Sequence, residues 1–201
     1  MVSKQVLREI YLAKRLTLSK SEWHIRNEAV IQQLIELIEK RGANRIHTFL
    51  PIAKKKEVNT LQLIEYFRSD PKKTFIIPKS EEEGELSHYL LNGQTVIRNN
   101  KWGVPEPLHG EKAAINDIDF VVVPLVIADK ANHRIGYGKG YYDRFLKVIP
   151  NAYKVGVSLL PSLDQIPYVE ANDVPLNRIV LPSTKESLNP FTKKGVSQYR
   201  Y

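Results

Sequence analysis

Residues able to do chemistry concentrate between 119 and 143, where the chain reads Asp119-Phe-Val-Val-Val-Pro-Leu-Val-Ile-Ala-Asp129 and then Arg134-Ile-Gly-Tyr-Gly-Lys-Gly-Tyr-Tyr-Asp143. Glycines alternate at Gly136, Gly138 and Gly140, Lys139 stands between the last two, and Asp143 follows a pair of tyrosines. Small residues let backbone N–H groups approach an anion, and a helix starting just beyond adds partial positive charge. Lys139 brings a full charge into the loop and Asp143 a hard oxygen ligand beside it, so the pattern suits a nucleotide polyphosphate. The spacing matches neither the Gly-Lys-Ser/Thr ending of a P-loop nor the Gly-x-Gly-x-x-Gly of dinucleotide-binding folds. Taken alone, a glycine turn also serves backbone geometry with no ligand present. Its flanks make this one more specific.

Such a loop needs a strand to lead into it and a helix to follow. The run Phe120 to Val123, continued by Leu125 to Ile127, reads as a buried strand, and Tyr141 to Leu146 as the helix. Upstream, residues 3–16 read as a helix on which Lys4 and Arg8, four apart, share a face. Ser19-Lys-Ser-Glu22 fits a capping box, and apolar Trp23, Val30, Ile31, Leu34, Ile35 and Ile38 continue a second helix toward Gly42. Arg45 to Leu50 is expected as a strand, Asn59 or Thr60 as the cap of a helix through Phe67, and Thr74 to Ile77 as another strand. Glu81 to Glu83 reads as a solvated loop, and Ser87–Leu91 with Gln94–Arg98 as a hairpin turning at Asn92-Gly93. Lys101 to Pro107 is expected as an extended, proline-stiffened loop, Tyr153 to Leu160 and Arg178 to Leu181 as the last strands. The alternation predicts an α/β fold, Rossmann-like and layered, with a largely parallel central sheet flanked by helices. One domain over residues 1–188 and a basic tail over 189–201 are expected.

Composition narrows the classes. The 201 residues carry 42% hydrophobic and 26% charged side chains, the balance of an ordinary globular protein. Apolar runs are too short to span a bilayer and the N-terminus has no apolar signal region, so neither membrane nor export is expected. No cysteine is present, which excludes disulfides and thiolate chemistry and fits a cytoplasmic setting. The net charge of +8 suits either nucleic acid or a polyanionic small molecule. The basic residues are scattered, with runs only at Lys54-Lys55-Lys56 and Lys193-Lys194, and no nucleic-acid motif accompanies them, which favours the small molecule. The histidines at 24, 47, 88, 109 and 133 do not fall at metal-ligand spacing and suggest no catalytic base.

Ordered motifs from residue 4 to residue 173 resemble the 5-formyltetrahydrofolate cyclo-ligase (5,10-methenyltetrahydrofolate synthetase) family. They are Lys4-Gln-Val-Leu-Arg8, Glu57-Val-Asn-Thr60, Trp102-Gly-Val-Pro-Glu-Pro107, Asp119-Phe-Val-Val-Val-Pro124 and the Arg134–Asp143 loop. The resemblance implies ATP- and magnesium-dependent closure of a ring on a reduced folate, and a monomer is expected. It assigns ATP to Lys4, Arg8, Arg134, Gly136, Tyr137, Gly138, Lys139, Gly140, Tyr141 and Tyr142, with Lys139 and Tyr142 catalytic. It assigns the folate to Leu50, Glu57, Trp102, Glu106 and Tyr142, and magnesium to Asp143 and Asp173. Without the family, Glu57 reads as surface charge beside three lysines, and Lys4 and Arg8 as a solvated helix face. This chain has Tyr137 where some relatives have Arg, Ala128 where many have Phe, and Asn177 where the segment often has a second acid. Two other readings keep the loop: a phosphate-binding isomerase with no need of ATP, and a nucleic-acid module with salt-sensitive affinity.

Overall fold

The structure is a computed structural model that describes residues 2–167 and 169–182; the expected tail at 189–201 lies outside the described residues. Six strands form one sheet in the order β10-β9-β6-β1-β2-β3. β1 (Arg45–His47), β2 (Thr74–Ser80), β6 (Phe120–Pro124), β9 (Tyr153–Val157) and β10 (Arg178–Val180) run parallel, and β3 (Leu86–Leu90) closes one edge antiparallel to β2. The expected Rossmann-like α/β layering is therefore present.

Alternation along β6 explains why the sheet sits in the middle. Phe120 and Val122 pack on one side with Val30, Leu34 and Ile38 of α2 (Lys20–Arg41) and with Leu63 of α3 (Leu61–Tyr66). Val121 and Val123 point to the other side, against Phe145 and Leu146 of α4 (Tyr141–Val148). All four β6 residues are fully buried, as a central parallel strand covered on both faces requires. The ends of α2 follow the sequence closely: Ser19 and Glu22 form the reciprocal capping box, and Gly42 ends the helix in the left-handed conformation at φ 64°. α1 (Lys4–Thr17) starts at Ser3, whose side chain accepts from the backbone N–H of Val6.

Several local expectations differ from the structure. Asn92-Gly93 does turn, but the strands around it do not pair with each other. β3 lies between β2 and the segment Glu111–Ala113, with Leu90 N–H donating to Glu111 and Ala113 N–H to His88. β4 (Val96–Asn99) instead pairs with β5 (Pro105–His109), so part of the expected proline loop is a strand. β2 holds one edge of β3 and Glu111–Ala113 the other, which leaves β4 no edge of β3 to join. The apolar run past Phe120 also breaks at Pro124. Ile127–Ala128 (β7) folds back on Arg134–Ile135 (β8), bringing the start of the glycine loop under the sheet's end. Finally, neither Asn59 nor Thr60 caps α3 through its side chain; the Thr60 hydroxyl donates to the Phe49 carbonyl at 2.5 Å.

Candidate active site

In an open parallel sheet, ligands gather beyond the carboxyl ends of the strands where the winding direction reverses. Here that point lies between β1 and β6: the chain leaves β1 for β2 on one side and reaches β6 on the other. A cavity of about 840 Å³ opens there, lined by Phe49, Leu50 and Ile52 after β1, Pro78 and Ser80 of β2, and Pro124 ending β6. α1, the glycine loop and the β4–β5 ribbon enclose the rest.

Gly138 (φ 88°) and Gly140 (φ 69°) occupy the left-handed region, so the sharp turn into α4 needs residues without a Cβ there. At Gly138 space matters too: a Cβ would lie 3.0 Å from the guanidinium carbon of Arg8. Arg8 reaches the loop from α1 and donates Nε to the Gly136 carbonyl at 2.8 Å. Lys139 projects from the loop with Nζ 4.0 Å from the centre of the Trp102 ring. Trp102 is 54% exposed, at the mouth of the cavity between β4 and β5. Arg144 braces the turn by donating to the carbonyls of Lys139 and Gly84, at 2.7 and 2.8 Å.

The acids are held by bases. Asp143 pairs with the buried Arg134 at 2.6 Å and accepts from the Val174 N–H at 3.1 Å. Asp173 pairs with Lys4 at 2.6 Å, and Glu170 with the same ammonium at 3.0 Å. Burial alone would raise the pKa of Asp173, but the Lys4 hydrogen bond and the Glu170 N–H leave it lowered. Burial likewise opposes the charge of Lys4, yet its two carboxylate partners outweigh that and raise its pKa. Asn177 instead brackets the start of β9, accepting from Lys154 N–H and donating its own N–H to Lys154 O. For a divalent cation, Asp143 and Asp173 lining one cavity suit magnesium that arrives on a nucleotide. Magnesium takes one or two protein carboxylates alongside phosphate and water. Among the described residues no three His, Cys, Asp or Glu side chains gather into a wholly protein-built cage.

Glu57 is 5% exposed, contrary to its reading as surface charge. The residues around it turn the carboxylate inward: its Oε2 accepts from Ile52 N–H at 2.6 Å and its Oε1 from the Tyr137 hydroxyl. Tyr137 therefore directs its side chain from the glycine loop to Glu57. Arg15, which the sequence reading did not single out, donates Nη2 to the same hydroxyl at 2.6 Å. A signal was available: Lys4, Arg8 and Arg15 are spaced by four and seven, which keeps all three on one helix face. Lys55 stacks its ammonium 4.0 Å from the Tyr137 ring centre, and burial lowers its pKa. Glu106 accepts from Ser80 N–H and the Asn100 amide at 3.2 and 3.0 Å. Tyr141 donates to the Glu81 carbonyl at 3.2 Å. The Tyr142 hydroxyl is buried with no partner; burial first, then the negative charge of Glu57, push its pKa upward. Behind it lies a buried pair of imidazoles, His47 Nε2 and His88 Nδ1, 3.2 Å apart.

Fold and site together define a Rossmann-like α/β protein with bases and acids lining one cavity at the sheet's switch point. A family model described as the 5-formyltetrahydrofolate cyclo-ligase family matches residues 1–182, and the chain belongs to that family of ligases. The "Probable 5-formyltetrahydrofolate cyclo-ligase" of Schizosaccharomyces pombe is 31% identical over 173 residues, 77% of this chain and 82% of that protein. The 5-formyltetrahydrofolate cyclo-ligase of Mycoplasma genitalium is 32% identical over 160 residues, 79% of this chain and 86% of the other. Among solved structures, the 5,10-methenyltetrahydrofolate synthetase of Aquifex aeolicus superposes with TM-score 0.75 at 30% identity, covering 98% of this chain and 97% of that one. The synthetase of Mycoplasma pneumoniae gives TM-score 0.71 at 25% identity, covering 90% of this chain and all 100% of the other.

Proposed function

We propose that the chain converts 5-formyltetrahydrofolate to 5,10-methenyltetrahydrofolate with ATP and magnesium, releasing ADP and phosphate. The observation that carries this is one cavity whose lining holds both the cations Lys4, Arg8 and Lys139 and the inward-turned Glu57. A triphosphate suits the cations, and a pterin, with its amino and ring N–H donors, suits the carboxylate.

The chemistry follows from what a formamide lacks, which is a good leaving group. The formyl oxygen takes the γ-phosphoryl group, the bond to ADP breaks, and N10 then attacks the activated carbon. N10 gives up its proton and the C–O bond breaks with phosphate. Nucleophile and electrophile belong to one molecule, so the protein contributes mainly positioning and charge neutralisation. Gly136 to Tyr142 offer backbone N–H groups and the start of α4 to the phosphates. Lys139 follows the charge that develops on transfer, and Lys4 and Arg8 flank it from α1. Magnesium, when bound, neutralises phosphate charge, and Asp143 with Asp173 would hold it. Leu50, Trp102, Glu106 and Tyr142 wall the folate around Glu57, with the unpartnered Tyr142 hydroxyl able to donate to a substrate oxygen.

The test is absorbance of 5,10-methenyltetrahydrofolate formed from 5-formyltetrahydrofolate, with and without ATP and magnesium. Product only when both are present is the expected result. A folded protein that binds ATP but forms none would remove the folate assignment.

A further inference from the structure

Arg15 is a charged side chain at 5% exposure that makes no ion pair among the described residues. Its guanidinium joins three separate segments. Nε donates to Lys55 O at 2.8 Å, Nη1 to Leu125 O at 3.1 Å and Nη2 to the Tyr137 hydroxyl at 2.6 Å. A guanidinium can only donate, so the Tyr137 oxygen must accept, and its own hydrogen is directed to Glu57 Oε1. The Ile52 N–H, also only a donor, takes Oε2 at 2.6 Å. Every hydrogen in the chain from Arg15 through Tyr137 to Glu57 therefore has one possible direction. Burial and the negative charge of Glu57 push the Tyr137 pKa upward, so the phenol keeps the hydrogen it passes along.

A buried carboxylate is costly without a compensating cation. Lys55, over the Tyr137 ring, feels the Glu57 charge through space, whereas Arg15 is the cation joined to Glu57 by hydrogen bonds through the phenol. We propose that Arg15 is a positioning residue of the folate site: through the Tyr137 hydroxyl it holds the Glu57 carboxylate fixed in plane, as an acceptor for paired N–H donors. This rests on the reading of Glu57 as the pterin acceptor. It makes the Arg15–Tyr137 pair a specificity device, because a fixed acceptor rejects ligands that lack a matching donor. It also gives Tyr137 a role distinct from that of an arginine at the same place: it links Glu57 to a guanidinium supplied by α1.

Calorimetric titration of the full chain with 5-formyltetrahydrofolate, and separately with ATP, tests this without requiring turnover. Tyr137→Phe removes one hydroxyl and cuts the link; Arg15→Met removes the charge at similar length. Each is expected to weaken folate binding roughly tenfold to a hundredfold, the size of a charge-assisted hydrogen bond, and to leave ATP binding within about twofold. Discrimination against a folate analogue lacking the exocyclic amine should shrink in parallel, and Arg15→Lys should recover part of both. A merely structural role would weaken both ligands and leave discrimination intact. Should Arg15→Met not fold, Tyr137→Phe decides alone: folate binding within twofold of the parent, with discrimination unchanged, overturns the proposal. Glu57→Gln separates the two failures. If it weakens folate binding while Tyr137→Phe does not, only the Arg15 relay is wrong; if it has no effect, the pterin site was misplaced.

Discussion

Lys139 is held by an aromatic ring and not by a carboxylate, which makes it available. A lysine over an exposed indole gains about 0.5–1 kcal/mol, little enough for a phosphate to redirect it. Removing a group aimed at developing charge costs about a hundredfold to a thousandfold in turnover. Lys139→Ala should therefore lose turnover on that scale, read by steady-state kinetics, and unchanged turnover and ATP affinity would take it out of the reaction. Asp173 presents the opposite case, since Lys4 and the Glu170 N–H already occupy its Oδ2. If it shares magnesium, Asp173→Asn shifts the magnesium activation curve to higher concentration; an unaltered curve leaves Asp173 as a turn residue and anchor for Lys4. At this scale only the resemblance assigned Lys4 and Arg8 to ATP and Glu57 to the folate. Without it, three neighbouring lysines imply solvent for Glu57, whereas the fold buries its carboxylate.

Helix ends were the most legible elements, because a capping box needs only residues four positions wide. Ser19 and Glu22 satisfy each other's backbone N–H groups at 3.1 and 2.9 Å. Ser19→Ala should cost about 1 kcal/mol of stability and leave turnover as it was, measured by chemical denaturation beside the absorbance assay. The elements that misled were those whose partners lie far away in sequence. A local Asn-Gly turn does not decide pairing when β2 offers a half-covered edge and Glu111–Ala113 offers the other. Pro124 similarly ends β6 where the apolar composition alone runs on to Ile127.

Across the whole molecule, His47 and His88 carry a prediction about pH. Both are buried, stacked near Phe145 and Tyr142, and share one hydrogen bond. Burial pushes His88 down to about 4 from an ordinary 6.5, and holds His47 well below that ordinary value, helped by His88. A neutral imidazole in both folded and unfolded chains costs nothing, so the full stability is present above pH 6.5. Below it the unfolded chain binds protons that the folded one refuses, and stability falls until the folded pKa is passed. For His88 alone the loss between neutral pH and pH 5 is about 2 kcal/mol. Urea midpoints at the two pH values check this; His88→Gln should flatten the dependence, and an equally steep one would place the acid-sensitive group elsewhere.

Hydrophobic period, capping residues and the glycine turn are properties of neighbouring residues, so the sequence by itself determined the layered α/β class, the ends of α2 and the glycine loop leading into α4. What only the tertiary structure decided are the relations between residues distant in the chain. Arg15 stands behind Tyr137, Tyr137 against Glu57, Arg8 against Gly136, and β3 beside β2. No local signal encodes these, because each depends on which buried groups find partners once the sheet has assembled.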